Sequence, residues 1–103
     1  MSRKNSFQQW LHTAAYIPDY VDNLSELLCP SCKQSRLDYI YCGDKESRVG
    51  YGLFWCNACQ KGIHISRLLI PEMIPPSRII YFDDPNGSKI LEQLVPKFKR
   101  VTP

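Results

Sequence analysis

A small α+β fold is predicted for this chain: a three-stranded antiparallel sheet, preceded by an N-terminal helical arm and followed by a C-terminal strand–helix segment. Three observations predict it. Two Cys-x-x-Cys pairs, Cys29-Pro30-Ser31-Cys32 and Cys56-Asn57-Ala58-Cys59, are separated by 23 residues. The stretches between and just beyond the pairs alternate apolar and polar positions with the period of a strand. Residues 6–15, ahead of the pairs, instead repeat their apolar positions with the period of a helix.

The cysteine pairs carry the strongest chemistry. Each can curl into a tight turn whose amide N–H groups point at the sulfurs, and the intervening residues suffice for a hairpin that brings the turns together. Four thiolates so arranged hold one zinc ion, the pattern of a zinc ribbon. A disulfide framework is the competing reading. The chain opens Met-Ser-Arg-Lys-Asn-Ser with no apolar leader, which leads us to expect a reducing cytoplasm, where disulfides do not persist. A thioredoxin-like redox pair needs one Cys-x-x-Cys within a larger α/β domain. With 103 residues the chain is one small unit for which a metal staple, worth on the order of 10 kcal/mol, matters to folding. No apolar run reaches the roughly 18 residues of a membrane span.

The formal charge of +3 invites a nucleic-acid reading. Four thiolates and one zinc ion together contribute about −2, which leaves only about +1 on the holo protein. Lys33 and Lys61 sit beside the pairs and offset the dianionic cluster. The run Lys97-Phe98-Lys99-Arg100 is short for a nucleic-acid footprint.

Taken in order, Phe7, Trp10, Leu11 and Ala14 make one face of a helix over 6–15, with Asn5 or Ser6 as cap. Pro18-Asp19 interrupts it, and a second helical stretch from Asp19 to Leu28 completes an arm over 1–27. The ribbon is assigned to 28–70. Its first strand, Arg36 to Cys42, places Leu37, Tyr39 and Tyr41 on one face. A polar loop, Gly43 to Arg48, leads to a second strand, Val49 to Trp55, and pairing Tyr41 with Tyr51 adds Val49, Tyr51, Leu53 and Trp55 to that face. A third strand contributes Ile63 and Ile65. The aromatic face is expected to be core beneath the arm rather than a base-stacking surface. Residues 71–76 form a stiff Pro-rich connector. Within 77–103, Ser77 to Phe82 is extended, Asp83 to Gly87 turns, and Ser88 to Val95 is a helix capped by Ser88 and stopped by Pro96.

The opposite face carries Asp38, Cys42, His64 and Ser66 around a floor expected at Gly50 and Gly52. Cysteine and histidine together are the minimum for a nucleophile with its base, so a small enzyme using Cys42 and His64 is a remote alternative. More often such a cysteine is core and such a histidine a solvated side chain.

Over residues 28–66 the two pairs, the polar acidic tip and the aromatic strand entering the second pair resemble the zinc ribbons of transcription elongation factors and small RNA polymerase subunits. In elongation-factor ribbons two adjacent acidic residues at the tip assist a polymerase active site. Here the tip reads Asp44-Lys45-Glu46, with a lysine interposed, so the resemblance implies a transcription-related partner more than that catalytic role.

The sequence thus predicts a cytoplasmic, non-enzymatic, zinc-binding ribbon protein acting as a protein-binding or regulatory adaptor. Cys29, Cys32, Cys56 and Cys59 are the zinc ligands, and Asp44, Lys45, Glu46, Arg48, Lys97, Lys99 and Arg100 form the candidate interaction surface. The alternative is a nucleic-acid or RNA polymerase-associated ribbon, with Arg36, Lys45, Arg48, Arg67 and the basic tail on phosphate.

Overall fold

A computed structural model describes residues 6–103. Helix α1 spans Ser6–Tyr16 and passes into short 3-10 turns at Ile17–Tyr20 and Leu24–Glu26. Strands β1 (Leu37–Gly43), β2 (Val49–Cys56) and β3 (Lys61–Leu69) follow, then β4 (Ile79–Tyr81), helix α2 (Gly87–Leu94) and β5 (Lys99–Arg100). The expected cap at Asn5 lies outside the described residues.

The sheet is not the three-stranded antiparallel ribbon that the sequence predicts. It has five strands in the order β4-β1-β2-β3-β5. β1, β2 and β3 are an antiparallel meander, but β4 runs parallel to β1 and β5 parallel to β3, so the sheet is mixed. The C-terminal segment supplies both edges, through strands of only three and two residues that leave no readable alternation. Lys99 N–H donates to Gln60 O and Val101 N–H to Gly62 O, both at 2.7 Å, which fixes the tail against β3.

Register is the second correction. Tyr41 lies opposite Gly52 and Cys42 opposite Tyr51, one residue from the expected pairing. Because side chains alternate, that slip exchanges the faces of the whole of β2. Phe54 therefore joins Leu37, Tyr39 and Tyr41 under α1, while Tyr51, Leu53 and Trp55 turn to the other side. The expected glycine floor does not form. Gly52 is on the α1 side, where the Phe54 ring occupies the space that a Cβ would need. At Gly50 a Cβ would collide with the Cys42 carbonyl, so glycine is required there for close strand approach.

Each sheet face consequently carries a packed core. On one side Trp10, Ala14 and Ile17 pack on Leu37, Tyr39, Tyr41, Phe54 and Ile63. On the other, Leu91, Leu94, Val95 and Phe98 pack on Ile40, Cys42, Trp55 and Ile80. Phe98 stacks on Trp55 with centroids 6.2 Å apart and planes 13° from parallel. Ser88 lies inside α2 rather than at its cap, a position that falls to Asn86.

Candidate metal centre

The two Cys-x-x-Cys turns are near-copies. In the first, Lys33 N–H donates to Cys29 O at 2.9 Å, and in the second Gln60 N–H donates to Cys56 O at 2.9 Å. The residue closing each turn is left-handed, Lys33 at φ 64° and Gln60 at φ 58°. That conformation costs a non-glycine residue about 1–2 kcal/mol, and the chain accepts it twice at equivalent positions. Its effect is to turn amides inward. Ser31 N–H and Cys32 N–H reach Cys29 Sγ at 3.3 and 3.4 Å, and Ala58 N–H reaches Cys56 Sγ at 3.4 Å. Such donors stabilise sulfur as thiolate.

The hairpin β1–β2 and the start of β3 bring the turns together. Cys29 Sγ is 3.7 Å from Cys59 Sγ, Cys32 Sγ is 3.6 Å from Cys56 Sγ, and all four sulfurs lie within 4.8 Å of one another. A disulfide would require about 2.05 Å, and all five cysteines are free. Zinc–sulfur bonds of about 2.3 Å in a tetrahedron place sulfurs about 3.8 Å apart, which the two short edges match closely. Four close cysteines with inward amides fit a metal ion held wholly by sulfur. A bound zinc would act as a structural link between the two turns, with every coordination position taken by this chain's thiolates.

Burial follows the same order in both turns. The first cysteine of each, Cys29 and Cys56, is fully buried, and the second, Cys32 and Cys59, is half-buried. Burial pushes the Cys29 thiol up to about 12 and raises Cys59, whereas the Gln34 amide beside Cys32 lowers that thiol to about 7. Metal must therefore displace protons from buried thiols to bind. Lys33, expected to offset the cluster charge, folds its Nζ onto Pro30 O at 3.1 Å.

The other residues singled out in the sequence are scattered. Asp44, Lys45 and Glu46 are exposed at the β1–β2 tip, where Asp44 Oδ2 accepts from Glu46 N–H at 3.1 Å and Ser47 N–H at 2.8 Å. Those amides hold its carboxyl below the usual range. Arg48, at φ 62°, turns inward and donates from Nε to Ile70 O at 3.2 Å and from its terminal nitrogen to Pro71 O at 2.9 Å. It is a staple for the start of the connector. Lys97, Lys99 and Arg100 are exposed, but β5 pairs with the first residues of β3, beside the second turn. Tip and tail thus stand at opposite ends of the sheet, and they do not make one patch.

Cys42 and His64 share a face but not a site. They belong to β1 and β3, with β2 between, two strand spacings or about 9.6 Å apart across the sheet and a further two residues apart along it. Cys42 is buried beneath α2 and its thiol is raised by that burial. His64 instead lies against Tyr51, ring centroids 5.1 Å apart. Sequence reasoning missed Tyr51 and Phe82, which stack at 6.2 Å, because the register slip had placed Tyr51 in the core. Among the described residues no helix is long and apolar enough to cross a membrane. Compared with known proteins, the chain matches no family model, no curated protein and no solved structure.

Proposed function

We propose that this protein is a zinc-centred, non-enzymatic adaptor whose four cysteines hold one structural zinc and whose exposed surface binds a macromolecular partner in the cytoplasm. One observation carries the reading: four sulfurs from two matching turns converge within 4.8 Å of one another, two of their edges near the tetrahedral length, with amide support. Every sulfur is a protein ligand, which leaves no open coordination position for a substrate. Zinc suits such a set because it favours tetrahedral thiolates and has no redox chemistry of its own. The paired turns and the antiparallel meander support kinship with zinc ribbons, the two added edge strands being this chain's elaboration. Free cysteines throughout are in keeping with a reducing compartment.

The test is metal content and metal dependence. The purified protein is expected to carry one zinc per chain and to lose its cooperative thermal transition when a strong chelator strips the metal. An unchanged melt after complete stripping would overturn the reading, and a coloured, iron-loaded protein would replace zinc by a redox metal.

A second reading, a nucleic-acid adaptor, is favoured by a specific observation: a row of contacting rings, Phe82 exposed and Tyr51 and His64 half-exposed, on the sheet face beside α2.

A further inference from the structure

We infer that the open part of the sheet face beside α2 is a platform for single-stranded nucleic acid, with bases stacking on Phe82, Tyr51 and His64 and phosphates meeting Arg100 and Arg67. The inference rests on the adaptor reading and names the partner of that module.

The observed register puts Tyr51, His64 and Ser66 on the same face as Cys42. Helix α2 and Phe98 cover Ile40, Cys42, Trp55 and Ile80 there; Tyr51 packs against the edge of that cluster, and it and His64 remain half-exposed. Phe82, just past β4, is 60% exposed yet lies nearly parallel to Tyr51, with an interplanar angle of 25°. Tyr51 meets His64 on its other flank, tilted by 43°. Three rings therefore cross the sheet in sequence from the β4 edge toward β3, and β5 continues the row with Arg100 on the same side. Burial, and then the charge of Arg100, push His64 below its ordinary value, so at neutral pH it is an uncharged ring fit for stacking.

The row ends in cations. Arg100 is exposed at the β5 edge, and exposed Arg67, left-handed at φ 56°, is the extra residue of a bulge beside Ser66. Asp83 and Asp84 follow Phe82 at the other end, which polarises the face. The strand is therefore placed across the sheet, its phosphates anchored at the β3–β5 end and its successive bases following the rings over Tyr51 toward Phe82. Ring faces on a shallow sheet are accessible to unpaired bases and not to bases stacked within a duplex. A protein partner would have less use for a row of partly exposed rings that is cationic at its β3–β5 end.

The experiment uses the full zinc-loaded chain and fluorescence anisotropy with labelled oligouridine and oligodeoxyuridine of about ten nucleotides, beside a hairpin duplex. Either single strand is expected to bind at least about tenfold tighter than the duplex, and the tighter of the two identifies the sugar. Phe82→Ala, at an exposed position that does not endanger folding, is expected to weaken binding about five- to 150-fold, as is Tyr51→Ala, while Tyr51→Phe retains it. Two phosphate contacts predict an affinity loss of about 25-fold over a tenfold rise in salt, falling to about fivefold in Arg100→Ala. No affinity tighter than about 1 mM for either strand overturns the proposal. So does equal binding of duplex, indifference to Phe82→Ala, or a protein found on this face in place of nucleic acid. A chelator melt on the same sample separates the failures: a zinc-dependent fold without oligonucleotide binding sinks only the platform.

Discussion

The indole N–H of Trp10 donates to Ser31 Oγ at 3.0 Å, so helix α1 is bonded to a residue inside the first Cys-x-x-Cys turn. Trp10 is 1% exposed and belongs to the same core as Cys29 and Cys56. The helical arm and the four-cysteine cluster therefore share one hydrogen bond and one core.

That coupling is measurable. Trp10→Ala removes a large buried side chain and is expected to cost about 3–5 kcal/mol, whereas Ser31→Ala removes one hydrogen bond at about 1 kcal/mol. Both should also weaken zinc binding, in that order, in competition with a chromophoric chelator. Zinc affinity unchanged in Trp10→Ala would show that the arm and the centre are independent.

A contrast among cysteines tests the ligand set. Cys32→Ser is expected to lower the bound metal well below one per chain and to destabilise the fold. Cys42→Ser, outside the cluster and under α2, should keep a full complement while losing about 1–3 kcal/mol for a more polar hydroxyl in a buried site whose polar neighbour is Tyr51. Elemental analysis with thermal melts reads both. Equal metal in the two variants would remove Cys32 from the set.

Arg48 offers a test of backbone strain. Its guanidinium satisfies the Ile70 and Pro71 carbonyls, and its backbone is left-handed. Arg48→Ala is expected to lose about 2–3 kcal/mol in urea unfolding, and Arg48→Gly about 1 kcal/mol less, since glycine lacks the Cβ penalty. Identical losses would mean that the left-handed turn carries no strain.

Alkali should unfold the protein through its core. Burial raises Cys42 above its ordinary 9.0 and Tyr39 and Tyr41 above their ordinary 10.0, and carries Tyr51 to about 12. Each is neutral when protonated, and the folded state holds the proton more tightly than the unfolded chain. Their contribution is thus fully present below pH 9 and is lost as pH rises through the raised values. Urea midpoints of the zinc-loaded protein should be flat from pH 7 to about 9 and fall beyond it. Stability that rises through that range would contradict the burial of these groups.

The metal turns were legible because their information is local: four residues fix each turn, and cysteine spacing reports the chemistry. Helix α1 and the central meander were legible for the same reason, each showing its own period. Register was not. It depends on how the loop from Asp44 to Arg48 closes, with Asp44 bonding two amides and Arg48 left-handed, and a shift of one residue moved Tyr51 and Trp55 from the expected core face to the other. Nor could the edges be read, because strands as short as Ile79–Tyr81 and Lys99–Arg100 are defined by their neighbours rather than by a pattern of their own. The ring row followed from the register and stayed hidden with it.

The parallel edges have a kinetic consequence. Tyr41 pairs with Ile79 and Lys61 with Lys99, contacts that each close a loop of about forty positions, whereas the meander closes by short turns. Loop-closure entropy delays the distant pairs, so the meander assembles first and the C-terminal segment seals both flanks afterwards. During that interval β1 and β3 present bare strand edges, the time at which self-association competes with completion of the sheet.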